Sequence, residues 1–383
     1  MDLLDEDYHE PLWLCGVRDF SGVLEGAIQS NRIIDNAEVS VDDSFSDADT
    51  QELSLCFVER LGGLNGLKSL RLLPDKVHII YEVPVRLLTI ALQRARGLQM
   101  FSICAVDLVG NRDEFVEFME SLRNHASLHL IRLIRCRLPE MSPPMLADFV
   151  AHVSAIPNLK EVELCGAEES SLGIMSNEAL TSISGAALLE KFCLDNFELT
   201  QDHFMILLQW LERRNNRLRG VSVSACEINS GGLHYLARML RGNRTLEELS
   251  ICLSHSRQNQ TLTDECFMAI SQSLERNTSL RQFGVSGSNG WPTLNNNVQK
   301  CFLNMLRHWN YTLERLSLFD RADLQPDVNF FLATNRLGRK FLVDENCTKE
   351  EWLQAIIRST CDLNCLYFFL SMKPELLVDQ TQI

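Results

Sequence analysis

Residues 128–138 read L-H-L-I-R-L-I-R-C-R-L, and this stretch decides the fold. Its apolar positions follow the pattern L-x-x-L-x-L-x-x-C-x-L and fall at Leu128, Ile131, Leu133, Cys136 and Leu138. Alternation of apolar and variable residues over such a short segment is typical of a β-strand with one buried face. The stretch therefore predicts a strand whose apolar side chains enter a core, while the residues between them face a surface.

The first half of this pattern, L-x-x-L-x-L, occurs nine times, with starts between 28 and 34 residues apart. The nine occurrences are Leu67/Leu70/Leu72, Leu98/Phe101/Ile103, Leu128/Ile131/Leu133, Leu159/Val162/Leu164, Leu189/Phe192/Leu194, Leu218/Val221/Val223, Leu246/Leu249/Ile251, Leu280/Phe283/Val285 and Leu313/Leu316/Leu318. A period of this size indicates a solenoid, in which each unit buries its apolar face only against its neighbours.

Between these strand segments, apolar residues recur at helical spacing, as in Phe115, Phe118, Met119 and Leu122. The predicted helices have recognisable starts: Pro143 suits a first turn, and Thr200, Ser230 and Thr263 suit N-caps. Five predicted helix ends are marked by an asparagine three or four residues before the next repeat pattern, at Asn124, Asn215, Asn243, Asn277 and Asn310. We interpret these asparagines as helix stops, because asparagine tolerates left-handed backbone geometry.

A strand followed by a helix, repeated many times, predicts parallel strands on one side and helices on the other. Because a helix is about 10 Å wide and neighbouring strands are about 4.8 Å apart, stacked units must curve with the strands inside. Over residues 36–336 the chain resembles the ribonuclease-inhibitor-like subclass of leucine-rich-repeat proteins. The resemblance implies an α/β solenoid shaped as a curved horseshoe, with parallel strands on the concave face and helices on the convex face.

Three regions are predicted. Residues 1–35 form an acidic N-terminal cap or arm, and residues 36–336 hold about nine clear repeats plus one degenerate N-terminal unit around Val39 and Val41. Residues 337–383 form a helical C-terminal cap, since a solenoid must cover its terminal unit. Within it, Leu337 and Leu342 suggest a last irregular strand, and a capping box from Thr348 to Glu351 predicts a helix.

Charge and cysteine content restrict location and partners. Fifteen of the 51 acidic residues lie within residues 1–60, against three basic ones, so the remaining chain is nearly neutral. The acidic end disfavours nucleic acid and anionic membranes as partners. No secretory signal and no membrane span are apparent. The 13 cysteines are an odd number without paired spacing, which favours a reducing compartment. We expect a cytoplasmic protein, with the nucleus left open.

Catalytic and cofactor motifs were sought and rejected. The Gly-rich segment 62–69 departs from a phosphate-binding loop because Leu67 separates the last glycine from Lys68. Cys361 and Cys365 have no histidine or second cysteine pair beside them, which disfavours zinc. We therefore predict a protein that is not an enzyme and that has no cofactor and no metal.

The predicted binding surface is the set of variable residues facing the concave side of the strands. Its members are Arg71, Arg132, Arg135, Glu161, Glu163, Ser222 and Ser250. We expect them to bind a protein partner, and we expect the charges of the arginines and glutamates to fix how that partner aligns on the surface. An equally weighted alternative is that the arginines and glutamates only neutralise each other across strands.

The predicted function is a non-catalytic protein–protein interaction scaffold. The alternative is a regulatory adaptor of an enzyme, either a GTPase activator or a ubiquitin-ligase substrate receptor. We expect a monomer that binds neither nucleic acid, membrane nor a small-molecule substrate.

Overall fold

The protein is described from a computed structural model. The structure describes residues 12–15, 36–41, 66–74, 81–136, 143–166, 175–213, 217–253, 263–287, 295–318, 326–343 and 347–372. The chain divides into two compact units, Met1–Leu199 and Thr200–Ile383.

The first unit alternates strands and helices. Its strands are β1 (Leu12–Cys15), β2 (Asn36–Val41), β3 (Ser69–Pro74), β4 (Tyr81–Pro84), β5 (Met100–Cys104), β6 (Val106–Val109), β7 (Leu130–Cys136), β8 (Glu161–Gly166) and β9 (Lys191–Asp195). Its described helices are α1 (Val85–Arg94), α2 (Arg112–Arg123), α3 (Pro143–Ser154) and α4 (Asn177–Ser184).

Seven of these strands form a parallel sheet in the order β1-β2-β3-β5-β7-β8-β9. The short strands β4 and β6 pair with each other in a separate parallel sheet. Strand β1 lies within the predicted N-terminal arm, residues 1–35, and pairs with β2. Part of that arm therefore extends the sheet.

The second unit repeats the same plan. Its strands are β10 (Gly220–Cys226), β11 (Glu248–Leu253), β12 (Gln282–Gly287) and β13 (Arg315–Leu318), which pair in parallel in chain order. Its helices are α5 (Gln201–Glu212), α6 (Ser230–Gly242), α7 (Asp264–Leu274), α8 (Asn296–His308), α9 (Pro326–Arg336), α10 (Arg339–Val343), α11 (Lys349–Ser359) and α12 (Leu363–Met372).

The predicted strand anchors are the core of both units. Leu128, Ile131 and Leu133 are buried, and so are the three anchors of every other occurrence of the pattern. Helical faces complete the core: Phe115, Phe118, Met119 and Leu122 are the buried residues of α2. Because strand side chains alternate between faces, the residues between the anchors lie on the opposite face of the sheet. The described chain thus has an alternating α/β repeat architecture with parallel strands.

The helix-end asparagines are partly as predicted: Asn124 and Asn243 are the C-cap residues that end α2 and α6, but the predicted left-handed geometry is wrong. Asn124, Asn243, Asn277 and Asn310 all lack the left-handed backbone, and Asn243 has an extended one with φ −71° and ψ 138°. Asn215 lies outside the described residues. Instead, the buried amides of Asn243, Asn277, Asn310 and Asn335 bond the backbone of a neighbouring repeat, and we call these four residues the asparagine ladder.

In the C-terminal region one expectation is wrong and one is confirmed. Leu337 follows α9 and Leu342 lies in the short helix α10, so neither is part of a strand. The chain stays helical there because α9 and α10 are separated only by a two-residue turn. The capping box at Thr348 is confirmed: its hydroxyl accepts from the Glu351 amide, and α11 follows.

Candidate functional site

Five of the predicted site residues lie in the first unit. In the sheet register, Arg71 of β3 is opposite Ser102 of β5, Ser102 is opposite Arg132 of β7, and Arg132 is opposite Glu163 of β8. Glu163 is in turn opposite Cys193 of β9. These residues share one face because each stands between two buried anchors of its own strand. We call this line of five residues the central row.

Two charged members of the central row, Arg132 and Glu163, form an ion pair, and Glu161 of β8 lies beside them. The Arg132 guanidinium contacts Glu163, with Nε 2.8 Å from Oε2, and its Nη2 lies 3.9 Å from Oε2 of Glu161. About a third of each of these three side chains remains exposed. An ion pair with this exposure contributes about 1 kcal/mol or less to stability. The contact across strands that the alternative interpretation describes is present for Arg132 with Glu161 and Glu163.

Arg135 does not lie in the central row. The register between β7 and β8 shifts between Ile134 and Cys136, and Arg135 has a left-handed backbone with φ 55°. Ala105 and Asn196 adopt the same backbone, φ 52° and φ 60°, and each lies seven residues after the start of its repeat pattern, as Arg135 does. This bulge turns the next residue, Cys136, into the core and leaves Arg135 exposed at the edge of the strand.

Ser222 and Ser250 lie in the second unit. Ser222 of β10 is opposite Ser250 of β11, which is opposite Gly284 of β12, and the line ends at Ser317 of β13. All four are at least partly exposed. A line of small residues brings the backbone of the sheet close to its surface, so a partner could approach it closely.

A second group of side chains on the first unit was not singled out from the sequence. The carboxylate of Glu163 and the thiols of Cys165 and Cys193 place one oxygen and two sulfur atoms within 4.8 Å of one another. Sγ of Cys165 lies 4.0 Å from Oε1 of Glu163. A hydrogen bond with Cys193 raises the pKa of Cys165, and burial of Cys165 adds to this effect.

The signal for this group was present in the sequence. Glu163 and Cys193 occupy the same position of successive repeat patterns, and Cys165 follows Glu163 by two residues. The spacing of 28 residues between the two cysteines matches no common metal motif, so the sequence pattern alone does not indicate a shared site. The repeat register is what brings them together.

Comparisons with known proteins provide no family assignment. No protein-family model matches the chain, and no curated protein matches it significantly. Among solved structures, the chain is similar to actin-binding site 2 of leiomodin-1, with 17% identity, a TM-score of 0.33, and coverage of 42% of this chain and 89% of that one.

Two further solved structures are similar to parts of the chain. The C-terminal domain of Caenorhabditis elegans tropomodulin matches with 14% identity and a TM-score of 0.28, over 49% of this chain and 89% of that one. A chain of the yeast Rad7–Elc1 complex matches with 12% identity and a TM-score of 0.41, over 82% of this chain and 87% of that one. None of these three likenesses carries an argument about what this chain binds.

The described part of the chain contains no helix with the length and apolarity needed to cross a membrane.

Proposed function

We propose that this chain is a non-catalytic scaffold that binds a protein partner through the exposed face of its parallel sheet. In a curved, ribonuclease-inhibitor-like arrangement this is the concave face, and the protein acts as a cytoplasmic monomer. The proposal rests chiefly on one observation. The anchors of the strands are buried, whereas Arg71, Arg132, Glu161 and Glu163 remain partly exposed between them.

The surroundings of Arg132 suit a protein interface. Leu130 and Ile134 lie on the same face of β7, on either side of Arg132, and both are partly exposed. Arginine beside apolar side chains is a combination enriched at the centres of protein interfaces. A partner carboxylate could contact the Arg132 guanidinium, because Glu163 occupies its Nε while about a third of the side chain is still accessible.

The ion pairs also suit a role in recognition rather than in folding. Partly exposed pairs stabilise the free protein little, so their charges are available to orient an incoming partner. Arg135 adds a second positive charge three residues further along the chain. The line from Ser222 to Ser317 would provide close approach without charge.

Charge reversal tests the proposal. Arg132→Glu combined with Arg135→Glu should remove partner proteins from an affinity capture analysed by mass spectrometry, and weaken binding of the purified partner at least tenfold. The matched control is Arg238→Glu on α6, which breaks a comparable pair with Glu212 (Nε to Oε1 3.3 Å) on a helix. The control should retain every partner, and both variants should unfold within about 1 kcal/mol of the wild type.

The opposite result would reject the surface. If the double variant captures the same partners with the same affinity as Arg238→Glu, the arginines and glutamates serve only to neutralise each other.

A further inference from the structure

Three side chains with metal-binding atoms converge on β8 and β9, where Cys165 is buried and Glu163 and Cys193 are partly exposed. Glu163 and Cys165 are two residues apart on β8, so they point to the same side of the sheet. Cys193 is directly opposite Glu163 on β9. One oxygen and both sulfurs therefore lie within 4.8 Å of one another.

A fourth possible ligand, Asp195, lies beside these three residues on β9. Asp195 is opposite Cys165 in the register and two residues after Cys193, so it lies on the same face. It is partly exposed. Two facing pairs, Glu163 with Cys193 and Cys165 with Asp195, thus bring two thiols and two carboxylates together. Strand pairing fixes the spacing of their backbones at about 4.8 Å across the strands.

We propose that Glu163, Cys165 and Cys193 bind a single Zn²⁺ ion, with the fourth position taken by water or by the carboxylate of Asp195. Two sulfur ligands and one oxygen ligand are a donor set that selects zinc over magnesium or calcium. Binding replaces the two thiol protons, which pass to solvent, and involves no oxidation or reduction.

The distances suit tetrahedral coordination. Zinc binds sulfur at about 2.3 Å and carboxylate oxygen at about 2.0–2.2 Å, so ligand atoms in a tetrahedron lie about 3.5–3.8 Å apart. Sγ of Cys165 and Oε1 of Glu163 are 4.0 Å apart. Because the three ligand atoms already lie within 4.8 Å of one another, we expect side-chain rotations to close the set around an ion.

Arg132 holds the carboxylate ligand in place. It contacts Oε2 of Glu163 at 2.8 Å, whereas Oε1 is the oxygen that faces Cys165. One carboxylate oxygen is therefore fixed by the guanidinium and the other is directed at the proposed ion. Such a second contact to a ligand orients it, as in other metal sites.

A cobalt titration tests the site. The full-length chain, fully reduced and kept free of oxygen, is titrated with Co²⁺, whose thiolate ligands produce an intense near-ultraviolet charge-transfer absorption. We expect one Co²⁺ per chain with this absorption, and its displacement by one equivalent of Zn²⁺. The test uses metal ions alone, so its result is independent of the proposed protein partner.

Variants assign the ligands. Cys165→Ser and Cys193→Ser should each abolish the charge-transfer absorption or weaken Zn²⁺ affinity at least tenfold, and Glu163→Gln, which keeps both thiols, should weaken it at least tenfold. Matched controls are Cys252→Ser, a partly exposed thiol on β11, and Cys361→Ser, an exposed one. Both controls should bind metal as the wild type does.

Several results would overturn the proposal. One is a reduced wild-type chain that binds no Co²⁺ or Zn²⁺. Another is an absorption that survives both Cys165→Ser and Cys193→Ser but disappears in a control. A third is a Cys165–Cys193 disulfide in a chain that takes up no metal when reduced. Because Glu163→Gln changes only a partly exposed side chain, it keeps the test decisive if a cysteine variant fails to fold.

Discussion

The side-chain amide of Asn310 donates a hydrogen bond to the backbone carbonyl of Asn277 over 3.1 Å. Asn277 makes the equivalent bond to the carbonyl of Asn243 at 3.3 Å, and Asn335 makes it to Asn310 at 3.1 Å. Each of Asn243, Asn277 and Asn310 also accepts backbone N–H groups of its own turn at Oδ1. The asparagine ladder therefore joins each repeat of the second unit to the next through buried polar groups.

Asn277→Ala should destabilise the protein by about 2–3 kcal/mol. It removes the donor to the carbonyls of Leu240 and Asn243 and the acceptor for the amides of Ser279 and Leu280, all in a buried setting. Urea denaturation would measure the loss. The control is Asn158→Ala, whose exposed amide donates to the Ala126 carbonyl and should cost less than about 1 kcal/mol. Equal losses for the two variants would show that burial of the ladder does not matter.

Leu249→Ala and Leu133→Ala should each cost about 2–5 kcal/mol, because both side chains are buried strand anchors and truncation leaves a cavity. The matched control is Ser250→Ala, the neighbouring exposed residue on the other face of β11, which should change the free energy of unfolding by less than about 0.5 kcal/mol. Chemical denaturation of the three variants measures the contrast. A large loss for Ser250→Ala would reverse the assignment of the two faces.

Arg339→Met should destabilise the second unit by about 2–3 kcal/mol. The buried guanidinium donates to the carbonyls of Leu306 and Arg307 at 2.8 and 2.5 Å, which lie in the last turn of α8, and burial lowers the pKa of Arg339 to about 10. Methionine fills a similar volume but leaves those carbonyls without these donors.

The matched control for this variant is Arg336→Met on the exposed side of α9. Its single bond to the Glu314 carbonyl is 3.4 Å long, so we expect a change of less than about 0.5 kcal/mol. Thermal unfolding followed by circular dichroism distinguishes the two. If Arg339→Met is as stable as Arg336→Met, the buried guanidinium does not stabilise the end of α8.

His125 should make the first unit sensitive to acid. Its ring Nε2 lies 2.9 Å from the Ala95 carbonyl, and burial lowers the pKa of His125, while this backbone contact opposes the shift. Because the pKa in the folded chain is below that in the unfolded chain, the unfolded chain binds more protons below about pH 6.5. The stability contributed by neutral His125 is therefore present above about pH 6.5 and is lost as the pH falls below it.

His125→Asn isolates this effect, because asparagine occupies the equivalent repeat position in Asn243, Asn277 and Asn310 and does not titrate. Urea midpoints at about pH 8 and about pH 5.5 should fall further on acidification for the wild type than for His125→Asn. The control is His308→Asn, at an exposed position, whose urea midpoint should fall between the two pH values by as much as that of the wild type. Parallel behaviour of wild type and His125→Asn would contradict the assignment.

Apolar periodicity predicted the strands and helices because each buried anchor is specified by its own residue type. The burial of Leu133 and Leu249, and the helix after Thr348, follow from local pattern alone. The outcome differed for the asparagines, whose position at helix ends was predicted and whose hydrogen bonds between repeats were not. A hydrogen bond from Asn277 to the preceding repeat depends on how repeats stack, and no local pattern contains that information.

For the candidate surface, too, some features follow from local sequence pattern and others depend on how the repeats stack. Local pattern is enough to say which residues of each repeat are buried and which are left between them, since alternation along a strand is a property of the backbone. Which of those surface residues meet depends instead on strand pairing. Strand register placed Arg132 beside Glu163 and Cys193 across from Glu163, and a left-handed backbone left Arg135 exposed where strict alternation along β7 would have buried it. Contacts between strands depend on pairing across about thirty residues of chain, so the equivalent repeat positions of Glu163 and Cys193 could be seen in the sequence, whereas the contact of Cys165 with Cys193 depends on how the repeats stack.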